Sequence, residues 1–288
     1  MKINKLMKIT KSEVTAIKYL IEKKVIPSSK KCYKCKGLMN LDLKRKLFRC
    51  QKNGYEINAS IFKNTFFSMA NIKINKILQI CYLYLHKSPT LEIVKMTGIQ
   101  SEAVTAWCQH LRELVSDNLE FSDIKIGGPG IIVEIDETKL GKRKYHRGHL
   151  VEGVWVVGGI ERTEEKKSFY IEVENRSSES LQKVIETFVL PGSIIYTDCF
   201  RAYGPACLNL QLEHFTVNHK ENFVDPQTNV HTNSIEGLNN GLKHLIRPRN
   251  RNKKNINGWL FYFIWRRRNK KNIFKAFMLA LRNIKYFD

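Results

Sequence analysis

The run Gly127-Gly128-Pro129-Gly130 divides this chain into two kinds of pattern. Upstream, apolar residues recur at helical spacing, as in Ile74, Ile77, Leu78 and Cys81, and helices should dominate there. Downstream come β-branched runs bounded by turn residues, which read as strands. A Gly-Gly-Pro-Gly run carries neither element across it, so it is the clearest linker in the sequence. The part that follows should start its own unit.

That second part has a definite order. Ile131–Asp136, Gly153–Glu161 and Ser168–Glu174 read as three strands. Ser177–Leu190 reads as a helix with Leu181, Val184, Ile185 and Phe188 on its apolar face, stopped by Pro191-Gly192. Ser193–Asp198 and His214–Val217 are further strands, Thr232–Ile246 a helix, and Trp259–Phe287 one or two more. Three antiparallel strands followed by parallel additions give a mixed α/β sheet covered by helices.

The formal net charge of +22 is spread unevenly. Residues 1–87 carry 20 Lys and Arg against 4 acids, residues 88–236 carry 15 against 22, and residues 237–288 carry 14 against 1. Two basic arms around an acidic middle attract phosphate backbones, in a manner that weakens with salt. The plainer alternative is a basic surface produced by A·T-rich coding. With 43% hydrophobic residues the chain can build a packed core. The apolar stretch Trp259–Trp265 is too short to span a bilayer. The seven cysteines are an odd number and the N-terminus lacks an apolar signal segment, so reduced thiols in an intracellular protein are expected.

In the N-terminal part, Ser12–Glu22 reads as a helix with Val14, Ile17 and Ile21 on one face. Cys32-x-x-Cys35 and Cys50 then suggest a small β-ribbon holding Zn²⁺, with Asn53 where a fourth thiol would stand. The alternative is a ribbon held by packing alone. Leu91–Val94, Gly98-Ile99 and Ser101–Val115 match a helix-turn-helix, with Val104, Trp107, Cys108, Leu111 and Val115 on one face. A simple α-hairpin fits equally well.

Three acids stand out in the second part. Asp136 and Asp198 each end an apolar strand, which places a carboxylate at a sheet edge, and Glu236 lies in a helix able to pack beside them. Converging carboxylates repel unless cations sit among them, and hard divalent ions such as Mg²⁺ or Mn²⁺ suit oxygen ligands. Two such ions can promote an in-line phosphoryl displacement. Strand-end acids also serve as turn formers and caps, and that reading stays open.

Several stretches together resemble a known family. They are Val133–Thr138, Tyr145–Gly148 with Val151–Arg162, Tyr196–Tyr203, and Val217–His219 through Phe223–Pro226 to His231–Glu236. In combination they look like the Merlin superfamily of DDE transposases and its bacterial insertion-sequence relatives with an ISXO-type domain. The resemblance runs from about Cys32 to Phe277. It implies an RNase H-like catalytic domain, with zinc-ribbon-like and helix-turn-helix segments before it and a basic helical tail after it. It also implies a metal-dependent triad of Asp136, Asp198 and Glu236, two Mg²⁺ or Mn²⁺ ions, and cut-and-paste transposition on double-stranded DNA by a homo-oligomer. No membrane partner is implied. The alternatives are an inactive transposase-derived DNA binder and an RNase H-like nuclease. The location would be the nucleus in a eukaryotic host, otherwise the cytoplasm at the nucleoid.

On that reading the chain divides into an N-terminal helix (1–30), a degenerate zinc ribbon (31–68), a helix-turn-helix region (69–126), the catalytic domain (127–250) and the tail (251–288). Lys142, Arg143, Lys144 and Arg147 form a basic hairpin suited to gripping DNA near the scissile phosphate, or else a solvated turn. Arg247, Arg249 and Arg251 form a run without balancing acids. His219 and His231 can orient phosphate or water, and Asn233 shares the helix face of Glu236. Glu134 shares the strand face of Asp136 and is either a secondary metal ligand or structural; Glu137 faces away and should pair with a base. Relatives usually carry Trp near Asn239, and its absence should loosen the Glu236 helix.

Overall fold

The computed structural model describes residues 1–52, 56–119, 124–141, 153–218, 221, 224, 226 and 229–283. The chain forms two compact units, one of Met1–Asn118 with Asn269–Asp288, the other of Leu119–Arg268. Lys142, Arg143, Lys144, Arg147, His219, Asn53 and Asp225 lie outside the described residues.

The first unit opens with helices α1 (Ile3–Ile9) and α2 (Glu13–Glu22). Ser12 caps α2 by accepting the Thr15 N–H at 3.1 Å, a contact worth about 1 kcal/mol. The helix lies where the sequence placed it, but its buried face is Ala16, Ile17 and Leu20, and Val14 is exposed. A three-stranded antiparallel ribbon follows, β1 (Asn40–Asp42), β2 (Leu47–Arg49) and β3 (Asn58–Ser60). Glu13 ties these pieces together, accepting from Ile74 N at 3.1 Å and pairing with Lys46 at 2.9 Å.

Helices α3 (Ile74–Leu85), α4 (Thr90–Thr97) and α5 (Ser101–Asp117) pack on one another. The five apolar residues expected on one face of α5 are all buried. The C-terminal helix Ile273–Asn283 packs on α3 and α5 in the same unit. Cys81 and Cys108 are buried thiols.

The second unit is built on a five-stranded sheet. In chain order, after the short β4 (Ile126–Gly127), come β5 (Ile132–Leu140), β6 (Val154–Glu161), β7 (Ser168–Val173), α6 (Ser178–Phe188), the short β8 (Val189–Leu190), β9 (Ile194–Asp198), α7 (Tyr203–Asn209), β10 (Glu213–Val217), α8 (Asn233–Leu245) and α9 (Ile256–Arg268). The sheet order is β10-β9-β5-β6-β7. β5, β6 and β7 are antiparallel neighbours, whereas β9 runs parallel to β5 and β10 parallel to β9. This is the mixed sheet read from the sequence.

Strand alternation gives the sheet two different faces. Val133, Ile135, Val157, Phe169 and Ile195 form a core with Leu181, Val184, Ile185 and Phe188 of α6 and with α7. α8 packs on β5 and β6, and α9 on β7 and α8. Trp259, Leu260, Tyr262, Phe263, Ile264 and Trp265 of α9 are buried. Residues after 251 are therefore not one tail, because α9 belongs with the sheet and the last helix with the first unit. No helix among the described residues is long and apolar enough to cross a membrane.

The expected linker at Gly127–Gly130 is instead a built turn. Gly127 N–H donates to Glu161 Oε2 at 3.0 Å, Gly128 N–H to Ser193 Oγ at 2.8 Å, and Gly130 N–H to Gly192 O at 2.9 Å. Positive φ angles at Gly127, Gly128 and Gly130 turn the chain so that β4 pairs with β8, a geometry glycine adopts without a Cβ penalty.

Candidate active site

The first acid is not at a strand end. Asp136 sits in the middle of β5, which continues to Leu140 because it stays paired with β6 as far as Leu140–Val154. The pairing with β9 stops earlier, at Glu134–Tyr196. Asp198, two residues past Tyr196, ends β9. Two steps along each of two parallel neighbours keep the parity of the side chains, so Asp136 and Asp198 share a face just where β5 and β9 part.

Burial pushes the Asp136 carboxyl up to about 7, with the negative charges of Glu137 and Asp198 adding to the effect. Asp198 Oδ1 accepts the Phe200 N–H at 2.9 Å. Glu236 lies in the first turn of α8, and its Oε1 accepts from the Thr232 hydroxyl at 3.3 Å. The structure thus pairs Asp136 with Asp198 and brings the helix of Glu236 onto the same sheet face. The three carboxylates do not form a tight cluster: among the described residues, only Cys32, Cys35 and Cys50 place three such ligand atoms within 4.8 Å of one another.

Two residues outside the expected triad hold α8 in place. Glu134 is fully buried, and both its oxygens are engaged. Oε1 pairs with Arg162 Nε at 2.7 Å; Oε2 accepts the Ser234 and Ile235 N–H groups at 2.8 and 3.0 Å. A carboxylate there satisfies donors that a helix start leaves open and complements its dipole. Glu134 is therefore an anchor, not a metal ligand.

Asn239 is the second. It is only 3% exposed. Its Nδ2 donates to Asp136 Oδ2 at 2.7 Å, and its Oδ1 accepts from the Tyr170 hydroxyl at 2.6 Å. At this position α8 is held to the sheet by hydrogen bonds rather than by the packing of a tryptophan. Asn239 was legible in principle: it occupies an apolar slot in the series Ile235, Leu238, Asn239, Leu242, and a polar residue there needs a partner.

Other expected residues fall elsewhere. His231 joins the Glu134 anchor, accepting from Arg162 Nη2 at 2.8 Å through Nδ1 and at 2.6 Å through its carbonyl. Burial, then the Arg162 charge, lowers its pKa and so favours the neutral ring. Asn233 is exposed at the start of α8. Arg251 closes the other end of α8, donating to Ile246 O at 2.8 Å and Lys243 O at 2.6 Å, so it caps that helix. Arg247 and Arg249 are exposed. Glu137 does face away from Asp136 and pairs with Arg176 at 3.0 Å, while accepting from the Tyr203 hydroxyl at 2.7 Å.

In the first unit the Cys32–Cys35 segment is a closed knuckle. Cys32 N–H donates to Gly37 O and Lys36 N–H to Cys32 O, both at 2.9 Å. Cys35 and Cys50 sulfurs lie 3.5 Å apart. The Cys35 backbone N–H is the main influence drawing the Cys32 thiol down to about 7. Three thiols this close, one of them readily ionised, form a donor set that can bind zinc.

Comparison with known proteins follows the same boundaries. Residues 126–266 match the family model described as the ISXO2-like transposase domain, just under half the chain. The match begins at β4, ends in α9 and includes Asp136, Asp198 and Glu236. A protein of Haemophilus influenzae described as an uncharacterized transposase-like protein is 33% identical over 81 residues, which is 28% of this chain and 61% of that relative. The aligned region thus spans less than two thirds of the relative's length. The resemblance to insertion-sequence transposases is thereby shown, and the part of the chain that carries it is the sheet unit, matched from 126 to 266 as an ISXO2-like transposase domain.

Proposed function

We propose that this chain is a cut-and-paste DNA transposase of the DDE type, with Asp136, Asp198 and Glu236 as its metal-binding acids. The observation that carries the reading is the pairing of Asp136 with Asp198 on one sheet face, with α8 and Glu236 docked over the same face. The antiparallel β5-β6-β7 and parallel β9 and β10, in the order β10-β9-β5-β6-β7, support an RNase H-like fold.

The donor set fits hard divalent cations. Burial, then the negative charges of Glu137 and Asp198, disfavours ionised Asp136, and a bound cation would offset both effects. Two Mg²⁺ or Mn²⁺ ions bound there would supply Lewis acidity to the attacking and leaving oxygens of a phosphodiester displacement. The protein's own part is to hold the acids. β5 and β9 fix Asp136 and Asp198, and the Glu134 anchor sets where α8 begins and hence where Glu236 sits. Water would attack at a transposon end to release a 3′-hydroxyl, which would then attack target DNA. The exposed lysines of α1 and α2, with Arg247 and Arg249, supply charge toward phosphates, and α4–α5 supplies a helix-turn-helix for the terminal inverted repeats. A homo-oligomer would bridge two ends.

The test is a strand-transfer assay with Mg²⁺ and oligonucleotides carrying the inverted repeats that flank the coding region. End cleavage followed by joining is the expected result. Cleavage without joining points to a nuclease, and binding without cleavage to a DNA-binding derivative.

We further propose that Cys32, Cys35 and Cys50 bind one Zn²⁺, which would hold the ribbon. Purified protein is expected to contain one equivalent of zinc, and chelation should lower the first melting transition by about 5 °C or more, corresponding to ~1–2 kcal/mol. Zinc-free protein with an unchanged transition would refute a metal-held ribbon.

A further inference from the structure

Asp136, Gly158 and Tyr170 stand in one row across β5, β6 and β7, since Asp136 pairs with Gly158 and Gly158 with Tyr170. A methyl group at Gly158 would overlap the Tyr170 ring. Without it, the ring lies over the strand and its hydroxyl reaches α8. There Tyr170 donates to Asn239 Oδ1, and Asn239 Nδ2 donates to Asp136 Oδ2, at 2.6 and 2.7 Å. Tyr170 is 1% exposed and Asn239 3%.

Resting on the reading of Asp136 as a metal-binding acid, we propose that Asn239 is a positioning residue that fixes the orientation of the Asp136 carboxylate for its cation. An amide has a donor side and an acceptor side. The Tyr170 hydroxyl occupies the acceptor, so the donor faces Asp136. When the carboxylate is ionised, Oδ2 is tied by a bond to a charged acceptor, among the stronger hydrogen bonds. The carboxylate cannot rotate without breaking it, and its remaining lone pairs keep one direction. Because Asn239 stands three residues after Glu236, on neighbouring positions of one helix face, the same bond couples the placement of the third acid to the orientation of the first. Gly158 and Tyr170 serve this geometry from the sheet.

The experiment measures Mn²⁺ binding to the intact protein without DNA, by calorimetry or electron paramagnetic resonance, alongside thermal melting. Asn239→Leu keeps the number and branching of side-chain heavy atoms and removes both bonds. It is expected to weaken Mn²⁺ binding about tenfold, within the range for partners of metal ligands. Tyr170→Phe should weaken it about threefold, and the double variant should bind no worse than Asn239→Leu alone, because Tyr170 acts through Asn239. Wild-type affinity in Asn239→Leu overturns the proposal, as does additive loss in the double variant. Should Asn239→Leu not fold, Tyr170→Phe decides, and unchanged affinity there refutes the chain. Asp136→Asn separates the two levels. If wild type binds Mn²⁺ and Asp136→Asn does not, the metal site stands whatever Asn239 does. If wild type binds none, the metal site and the positioning role fall together.

Discussion

Asp136→Asn is expected to reduce cleavage and joining to background while making the metal-free protein more stable at pH 8. The reason is the proton on Asp136. Its native pKa is about 7 against an ordinary 3.8, so the folded protein holds this proton more tightly than the unfolded chain does. The resulting stability is fully present below about pH 3.8 and is lost as pH rises through about 7. At ~1.36 kcal/mol per pH unit, the ceiling is roughly 4 kcal/mol. An asparagine amide never ionises, so the variant's stability should lack this decline. Millimolar Mg²⁺ should raise the wild-type melting temperature and leave the variant's unchanged, since only the folded wild type would bind the ion. Denaturant titrations at pH 5 and pH 8, with and without Mg²⁺, check each part. Equal pH dependence in the two proteins would remove the buried proton from the account, and cleavage by the variant would remove Asp136 from the active site.

Glu134→Ala should strongly destabilise the sheet unit. It strands Arg162 beside a vacated site and leaves the Ser234 and Ile235 N–H groups without their acceptor. Breaking a buried ion pair from one side typically costs about 3–5 kcal/mol, a large share of the ~5–15 kcal/mol that holds a domain together. Glu134→Gln keeps an oxygen for the helix N–H groups and loses only the ion pair, so its loss should be smaller. The ordering wild type, Gln, Ala in denaturation midpoint is the expected result. A midpoint within ~1 kcal/mol of wild type for Glu134→Ala would show that α8 is held by its apolar face alone.

These two carboxylates show where sequence pattern stops being informative. Glu134 and Asp136 are two residues apart on one strand, and alternation correctly assigns them to one face. Nothing local separates their roles. One meets the N-terminus of a helix about a hundred residues away in sequence and an arginine just past the end of β6; the other meets Asp198 and Asn239. The same limit explains Arg251, which reads as one charge in a basic run but lies close enough to two α8 carbonyls to cap them. It also explains the Gly127–Gly130 turn. The local signal announces a break in regular structure, whereas the partners of its N–H groups, Glu161, Ser193 and Gly192, come from distant segments.

What the sequence determined by itself was most of the longer elements and the buried faces of several of them. Periodicity located α5 and α6 with their buried faces, β-branched runs bounded by turn residues located the strands of the sheet, and the order of strands and helices implied a mixed sheet, because these signals are carried by neighbouring residues along the chain. Only the tertiary structure decided how far β5 runs beyond β9, that Asn239 ties α8 to Asp136, and that residues after 251 divide between two units. Those outcomes depend on which distant groups meet, and pairing between distant segments leaves no local period to read.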